Sequence, residues 1–469
     1  MRLSQENIAA LNADVERPGY DRAAQACGIV HFGIGAFHRA HQAVYTDDAM
    51  AAGDRDWGIT GVSLRSGDVA DQMEPQDGLF TVSERGSGSQ RTRLIGAVQR
   101  VLVAPRDPAA VVTALASRST RIVSFTVTEK GYCRTPAGQL DLAMLEPELA
   151  DGATPRSIYG FLAAGLAQRR AAGTPGLTLV SCDNLAENGA VLSVLLNAYL
   201  DRVDPGLAAW FRRECTCPST MVDRIVPAVT DADRLQIADT IGMEDAAAVI
   251  TEPFRQWVIE DRFAGPRPRW EVGGAQLVAD VRQHEAAKLR MLNGAHSALA
   301  YLGLAQGHDF VHQAIADPTL RPLIEQLMRH EAGVSLGSDP GLDIDAYAAQ
   351  LLARFANSAL PHRLAQIAVD GSQKIPQRWL EPLAINMAAG RACPATLKAL
   401  AAWMLHVRGD ARVVDDPMAA QLAALWQSAG TAGIVTALFG EQGLFADRWT
   451  VTDQSRALLQ AEVDQMAAV

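Results

Sequence analysis

Lysine is rare in this sequence. Among the 42 basic side chains of its 469 residues, only Lys130, Lys288, Lys374 and Lys398 are lysines, and the others are arginines. Arginine keeps its proton under ordinary conditions, whereas a buried lysine can release it. The four lysine positions are therefore the first candidates for acid–base chemistry.

Cysteine and long apolar runs are scarce as well. Six cysteines are too few for a disulfide framework in a chain of this length. The polar start of the chain, with Glu6 and Asp14, is unlike a signal peptide. We expect charged residues to interrupt every run before it reaches the roughly 18 apolar residues of a membrane helix. These absences predict a soluble, cytoplasmic protein.

Basic charge is also in deficit. The formal net charge is −11 and the sequence pI is about 5.4, which argues against nucleic acid and anionic membranes as partners. Hydrophobic residues make up 48% of the chain and charged residues 20%, a composition typical of globular proteins. The length suggests two or three domains of roughly 150 residues each.

Strand-like and helix-like patterns alternate in the first half of the chain. Strands are predicted at 28–34, 57–64, 121–128, 177–182, 256–261 and 275–281, and helices at 37–52, 108–117, 157–172 and 189–203. This alternation indicates a mostly parallel sheet with helices on both faces, so residues 1–283 are predicted to form an α/β, Rossmann-like domain.

From residue 284 onward, long segments rich in alanine and leucine replace the strands. Helices are predicted at 285–305, 322–331, 344–355, 379–389, 396–407 and 418–428. Residues 284–469 are therefore predicted to form a second, mainly α-helical domain.

Gly33 and Gly35 stand in a turn that follows the first predicted strand and opens a helix. Small residues there let the backbone approach a pyrophosphate, and the helix N-terminus favours its charge. His38 stands where the third glycine of the dinucleotide fingerprint would be, so the motif is only G-x-G and a tight structural turn also explains it. Placement after the first strand favours the nucleotide site.

Asp68 is the candidate for the carboxylate that binds the adenosine ribose after the second strand. It lies 33 residues beyond Gly35 rather than about 20, and a helix-capping aspartate is the alternative. A carboxylate at the 2′-hydroxyl repels a 2′-phosphate, which favours NAD. The neighbouring Arg65 weakens that preference, so NADP stays the alternative cofactor.

Lys288, Asn293 and His296 fall within one predicted helix. At about 100° per residue, Asn293 lies about 140° and His296 about 80° from Lys288, so the three polar groups share one arc. Such groups on an apolar helix are costly unless they meet partners or a substrate. A buried lysine can act as an acid–base group, and an asparagine amide can stabilise an alkoxide. Alternatively, Lys288 reaches solvent and the other two bond to the backbone.

Three other polar segments are weaker candidates. Asp183 and Asn184 follow a predicted strand and either line a ligand site or cap a helix. Lys374 follows a turn and fits a solvated loop. Cys215-x-Cys217 has no partner pair at zinc spacing, so no metal site is predicted.

Several motifs together resemble those of the mannitol dehydrogenase family, the polyol-specific long-chain dehydrogenases, over nearly the whole chain. The matching residues are Gly33-x-Gly35-x-Phe37-His38-Arg39-Ala40-His41-Gln42, Val222-Asp223-Arg224-Ile225-x-Pro227, Glu252-Pro253-Phe254-x-Gln256-Trp257-Val258 and Lys288-x4-Asn293-x2-His296. Cys215 and Cys217, just before the segment that begins at Val222, differ from the residues usual in the family. This difference affects packing and not chemistry.

The resemblance implies a zinc-independent, NAD(P)-dependent enzyme that interconverts a secondary alcohol and a ketone on an open-chain sugar derivative. It implies Lys288 as the general acid/base, Asn184 and Asn293 as donors to the reacting oxygen, and His296 as a substrate partner. Further implied residues are Asp223 and Lys374 for substrate hydroxyls, Glu285 for a proton path near Lys288, and Gly33, Gly35, Phe37 and His38 for the cofactor. The family's frequent monomeric state suggests a monomer or weak homo-oligomer.

The C-terminal stretch 361–378 is more similar to that of the family's fructuronate reductases than to that of its mannitol 2-dehydrogenases. At Gln366 the latter have an arginine. A sugar-acid carboxylate needs a fixed guanidinium, which Arg363 or Arg378 can provide, although either can equally form a surface ion pair. We therefore expect reduction of D-fructuronate to D-mannonate, with mannitol/fructose interconversion as the alternative. A metal-dependent dehydrogenase and a non-catalytic dinucleotide-binding protein are the more distant alternatives.

Overall fold

The structure, a computed structural model, describes residues 1–150, 152–337 and 341–468. The chain divides into two compact units, Met1–Arg282 and Gln283–Val469. The first unit contains the sheets, and the described part of the second unit is mainly helical. This architecture confirms the predicted fold class.

The first unit is built on a parallel sheet with the order β5–β2–β1–β6–β7. Smaller sheets have the orders β11–β10–β8 and β4–β3–β9. The strands are β1 (Cys27–Phe32), β2 (Gly58–Ser63), β3 (Phe80–Gly86), β4 (Ser89–Ile95), β5 (Val98–Val103), β6 (Ile122–Phe125), β7 (Thr178–Ser181), β8 (Thr220–Asp223), β9 (Val249–Thr251), β10 (Gln256–Glu260) and β11 (Gln276–Val278).

Both faces of the parallel sheet are buried, because successive residues of each strand point to opposite sides. Ile29 and Ile122 pack into one hydrophobic core, and the next residues, Val30 and Val123, pack into another. The helices of this unit are α1 (Ala36–Ala40), α2 (Gln42–Ala51), α3 (Asp68–Met73), α4 (Pro108–Ala116), α5 (Leu142–Leu145), α6 (Ile158–Ala171), α7 (Asn188–Val203), α8 (Pro205–Glu214) and α9 (Asp231–Ile241). Residues of α1 to α8 contribute to the two cores that flank the parallel sheet.

The helix predicted at 37–52 is interrupted. His41, with φ −122° and ψ −88°, separates α1 from α2. The buried ring of His41 has both nitrogens bonded, Nε2 to the Gln256 carbonyl at 2.8 Å and Nδ1 to the Gln42 amide at 3.0 Å. These hydrogen bonds compensate for the helical hydrogen bonding that is lost at this residue.

The second unit contains α10 (Arg282–Ala287), which begins at the boundary, α11 (Gly294–Ala305), α12 (Val311–Ala316), α13 (Leu320–Gln326), α14 (Ile344–Phe355), α15 (Leu364–Ile367), α16 (Gly371–Ile375), α17 (Glu381–Ala388), α18 (Pro394–His406), α19 (Ala419–Phe439) and α20 (Asp453–Ala467). Segments of π-helix, with i→i+5 hydrogen bonds, continue three of these helices at Lys288–Asn293, Leu327–Ala332 and Pro376–Leu380. The first π-helical segment packs against both of the others. Such segments are rare and are frequent at functional sites.

One helix contradicts the expectation about apolar runs. α19 is long and apolar enough to cross a membrane by length and composition, and it contains no charged residue. Its Gly430 has φ 60° and ψ −177°, which breaks the helix in the middle. Leu422, Trp426 and Leu438 of this helix are buried in the hydrophobic core of the second unit.

Candidate active site

The glycine-rich turn lies at the carboxyl end of β1. Gly33 has φ +95°, and a Cβ there would lie 2.1 Å from the Thr126 carbonyl oxygen, so packing alone requires glycine. Gly35 is exposed, and a Cβ on it would meet only the Gly33 oxygen, at 3.9 Å. Open space therefore lies in front of the Gly35 backbone, which fits the close approach of a dinucleotide pyrophosphate.

His38 lies beneath this turn rather than at its surface. Its ring is fully buried and stacks on that of His31 with 3.4 Å between the ring centroids. Burial lowers the pKa of His38 well below its usual value, so its imidazole is neutral. The side chain can support the turn from below, and only the backbone of His38 can face a cofactor.

Asp68 does not lie at the end of β2. It is the exposed first residue of α3, beyond the strand's last residue, Ser63. The neighbouring Gly67 packs against Arg106, whose guanidinium pairs with Asp71 at 2.7 Å. Arg106 is thus a further cation beside the candidate ribose carboxylate, and it was missed in the sequence.

Asp183 connects the ends of two neighbouring strands, β6 and β7. Its buried carboxylate accepts hydrogen bonds from the backbone N–H groups of Val127 and Thr128, at 3.1 and 2.8 Å, and from the Tyr132 hydroxyl at 2.8 Å. Thr128 has φ 66° and ψ 164°, a region that non-glycine residues rarely adopt and that is typical of functional sites. Asn184 follows directly and is exposed. Asp183, which follows β7, therefore holds in place the backbone that follows β6.

The segment Val222–Ile225 ends β8. Asp223 is buried, opposite Gln256 of β10. Arg224 is also buried, and it bonds to the Glu84 carboxylate at 2.5 Å and to the carbonyls of Ala40 and Glu252. Arg224 thus holds three segments of the first unit together. Asp223 remains the residue of this segment that is a candidate for binding the substrate.

The predicted Lys288 helix exists, but its local geometry is different. Lys288–Asn293 is π-helical between α10 and α11, so the straight α-helix assumed for the 140° separation is wrong here. With i→i+5 bonding a turn takes more than four residues, so Asn293, five positions on, lies closer in angle to Lys288 than it would on an α-helix. Both side chains are partly buried, as is that of Glu285 on α10.

His296 sits in a cationic environment. Its ring lies 4.7 Å from that of Phe355 and 5.6 Å from that of His362. Burial, followed by the neighbouring His362 and the charges of Arg354 and Arg378, lowers the pKa of His296 well below its usual value. His296 is therefore neutral at pH 7, and it can donate to or accept from a hydroxyl group. Arg354 and His362 are far away in sequence and carried no signal of their own.

Arg378 and Lys374 lie together, and Arg363 lies apart from them. Arg378 donates to Ser297 Oγ at 2.8 Å and to the Asn293 carbonyl at 3.3 Å. Lys374 donates to the Val369 carbonyl at 2.5 Å, and burial followed by the charge of Arg378 lowers its pKa. Arg363 is exposed, with its guanidinium 5.0 Å from the centre of the Phe310 ring. Arg378 hydrogen-bonds to the helix that carries Asn293 and His296, whereas Arg363 lies over Phe310, so Arg378 is the stronger carboxylate candidate.

Metal-ligating side chains are not grouped in the part of the chain that the structure describes. No three or more His, Cys, Asp or Glu side chains come together there as metal ligands would.

A dinucleotide-type α/β unit followed by a helical unit with a lysine–asparagine–histidine set defines a class of dehydrogenases. The Rossmann-domain model of mannitol dehydrogenase matches residues 27–272, and the model of its C-terminal domain matches residues 280–466. The chain belongs to the mannitol dehydrogenase family. It is therefore an enzyme, an NAD-dependent oxidoreductase that acts on CH–OH groups, and the non-catalytic alternative is wrong.

Relatives in this family differ in their substrates. The chain is 42% identical over 452 residues to the D-mannonate oxidoreductase of Escherichia coli K12, covering 94% of this chain and 93% of that one. It is 37% identical over 479 residues to a mannitol 2-dehydrogenase of Phaeosphaeria nodorum, covering 99% and 84%. The structure of Pseudomonas fluorescens mannitol 2-dehydrogenase in a ternary complex with NAD and D-mannitol has 36% identity and a TM-score of 0.80, covering 100% and 96%.

Proposed function

We propose that this enzyme reduces D-fructuronate to D-mannonate with NADH. The observation that carries the proposal is the partly buried Arg378, which donates to Ser297 Oγ at 2.8 Å and to the Asn293 carbonyl at 3.3 Å, and whose charge also acts on His296. A polyol has no charge to pair with Arg378, whereas a sugar acid has a carboxylate. The similarity to a D-mannonate oxidoreductase supports the same choice.

In this proposal the residues of the chain bind the substrate and move a proton. Bound NADH supplies the hydride to the ketone carbon. Lys288, as an ammonium group, donates a proton to the oxygen that becomes the alcohol, and the amides of Asn293 and Asn184 donate hydrogen bonds to that oxygen. His296, Asp223 and Lys374 bind hydroxyl groups, Arg378 binds the carboxylate, and Glu285 exchanges protons with Lys288. Gly33, Gly35, the Phe37 and His38 backbone, and Asp68 bind the cofactor.

A substrate panel tests this assignment. Initial rates should be measured with fructuronate, tagaturonate, fructose and xylulose, each with NADH and with NADPH. We expect the highest kcat/KM with fructuronate and NADH, by at least about tenfold over fructose, which corresponds to roughly 1.4 kcal/mol. A preference for fructose would establish the mannitol 2-dehydrogenase alternative, for which the mannitol-bound relative is the precedent.

The role of Lys288 is tested by its replacement. Lys288→Ala should lower kcat by about 100-fold or more, since general acid catalysis contributes 10²–10⁴-fold, while the affinity for NADH stays unchanged. Lys398→Ala removes a lysine from α18 and is the matched control, which should keep wild-type turnover. Near-normal turnover of Lys288→Ala would show that another group donates the proton.

The proposal also includes the cellular compartment and the oligomeric state of the enzyme. The six unpaired cysteines fit a reducing compartment such as the cytoplasm. We propose a monomer or weak homo-oligomer, which light scattering at several protein concentrations would measure.

A further inference from the structure

A cavity lies within the helical unit, and none of the residues that line it is among those proposed for catalysis. It has a volume of about 560 Å³, and α11, α13, α18 and α20 form its walls. Leu302, Leu320, Leu323 and Leu405 give it an apolar interior. A concave, mostly apolar space of this size is typical of sites for small organic molecules.

The charged side chains of this cavity are mostly cationic. Lys398, Arg408 and Arg412 line it, and Glu462 is the one carboxylate among the lining residues. Arg408 pairs with Asp410 at 2.5 Å. In the described part of the chain, no carboxylate lies within ion-pair distance of Lys398 or Arg412. Arg412 is exposed and donates to the Leu304 carbonyl at 3.5 Å. On a chain of net charge −11, two cations that have no ion-pair partner among the described residues favour anions at an apolar cavity.

Glu462 adds a second observation. Its Oε2 atom is buried and has no hydrogen-bond partner in the described part of the chain. Glu462 therefore lowers the affinity of the cavity for an anion but leaves an acceptor for a donor group. Removing a cation of the cavity should therefore weaken the binding of an anion, and removing the charge of Glu462 should strengthen it.

We propose that this cavity binds an amphipathic organic acid, with its carboxylate at Lys398 and Arg412 and its apolar body between α11 and α13. The assignment is independent of the sugar substrate. The wall helix α11 also carries His296 and Ser297 at its start and Tyr301 and Leu302 in the cavity. A ligand in the cavity thus contacts the helix of the catalytic motif.

The test uses decanoate as the probe and the full-length enzyme in isothermal titration calorimetry. Decanoate should bind saturably at one site per chain, and decyltrimethylammonium, which has the same chain and the opposite charge, should bind at least tenfold more weakly. Lys398→Gln should weaken decanoate binding about tenfold, and Glu462→Gln should strengthen it. Ala305→Trp, which places a large ring at the exposed wall, should abolish binding.

Controls locate the binding. Arg321→Gln removes an exposed arginine of α13 that pairs with Glu325 and does not line the cavity, and it should leave the affinity for decanoate unchanged. Arg378→Gln should also leave it unchanged. The proposal would be overturned if decanoate did not bind, if the two probes bound equally, or if Lys398→Gln and Ala305→Trp left the affinity unchanged. It would also be overturned if NADH displaced decanoate or if Arg378→Gln abolished binding.

Discussion

Arg378 is the residue on which the proposed choice of a sugar acid depends. Burial lowers its pKa to about 10, so it is still fully charged at neutral pH. Arg378→Gln should raise the KM for fructuronate by at least about tenfold, because a charge-assisted hydrogen bond contributes roughly 1.5–3 kcal/mol. The KM for fructose should change much less. Initial-rate kinetics with both ketones measure this difference.

Arg363 is the matched control for that substitution. It is exposed, and its guanidinium lies over the Phe310 ring. Arg363→Gln should leave the KM values for both ketones within about twofold of wild type, since an exposed cation–π contact contributes only about 0.5–1 kcal/mol to local stability. An equal rise of both KM values in Arg378→Gln would instead assign Arg378 to the packing of the motif helix.

The sequence pointed to the residues proposed for catalysis but not to their surroundings. Lys288 stood out because lysine is rare, and Asn293 and His296 lie within eight residues of it. The groups that surround His296, such as Arg354, His362 and Arg378, come from other elements 58–82 residues further along. Tertiary packing brings them together, and no local spacing encodes that.

At the scale of elements, short-range patterns predicted four of the five strands of the parallel sheet. The predicted strands at 28–34, 57–64, 121–128 and 177–182 correspond to β1, β2, β6 and β7. The hairpin of β3 and β4 was missed because it contains polar residues such as Arg93. This arginine is buried and forms ion pairs with Asp47 and Asp48 at 2.9 and 2.7 Å. Its partners lie far from it in the sequence, so the local pattern gives no sign that it is buried.

The π-helical geometry at Lys288 was equally beyond sequence patterns. The residue composition predicts a helix, and composition alone does not distinguish i→i+4 from i→i+5 hydrogen bonds. The same limit applies to α19, which was predicted to end at residue 428 and instead continues to Phe439 beyond the break at Gly430.

Gly430 provides a stability prediction for that element. Its φ of 60° and ψ of −177° lie in a region open almost only to glycine. A Cβ at this position would meet no atom within 4 Å, so any effect of Gly430→Ala comes from the backbone. The substitution should lower the free energy of unfolding by about 1–3 kcal/mol, measured by urea denaturation of the full chain.

Gly433 is the control for this prediction, because it lies in the regular part of α19 beyond the break. A Cβ there would lie 3.3 Å from the Ala429 Cβ, and the helix favours alanine over glycine by about 1 kcal/mol. These opposing effects should keep Gly433→Ala within about 1 kcal/mol of wild type. Equal stabilities of Gly430→Ala and wild type would contradict the break in the helix.

For the whole molecule, the hydrophobic cores follow the division of the chain. The clusters around the parallel sheet contain residues of Met1–Arg282, and the cluster of the helical unit contains residues of Gln283–Val469. A unit with its own core is able to fold alone. The glycine-rich turn proposed to bind the cofactor and Lys288, proposed as the proton donor, are therefore expected to lie on fragments that fold separately.

Expressed separately, residues 1–282 should fold and bind NADH, and residues 283–469 should fold without binding it. Neither fragment alone should reduce fructuronate, because the first lacks Lys288 and the second lacks the glycine-rich turn. NADH at 100 times its dissociation constant should stabilise the first fragment by about 2.7 kcal/mol, since ligands stabilise the state that they bind. Circular dichroism and NADH fluorescence measure folding and binding, and the unchanged melting temperature of the second fragment in NADH is the internal control. If residues 1–282 fold but fail to bind NADH, the cofactor site must require residues of the helical unit, and the assignment of cofactor binding to the first unit alone would be wrong.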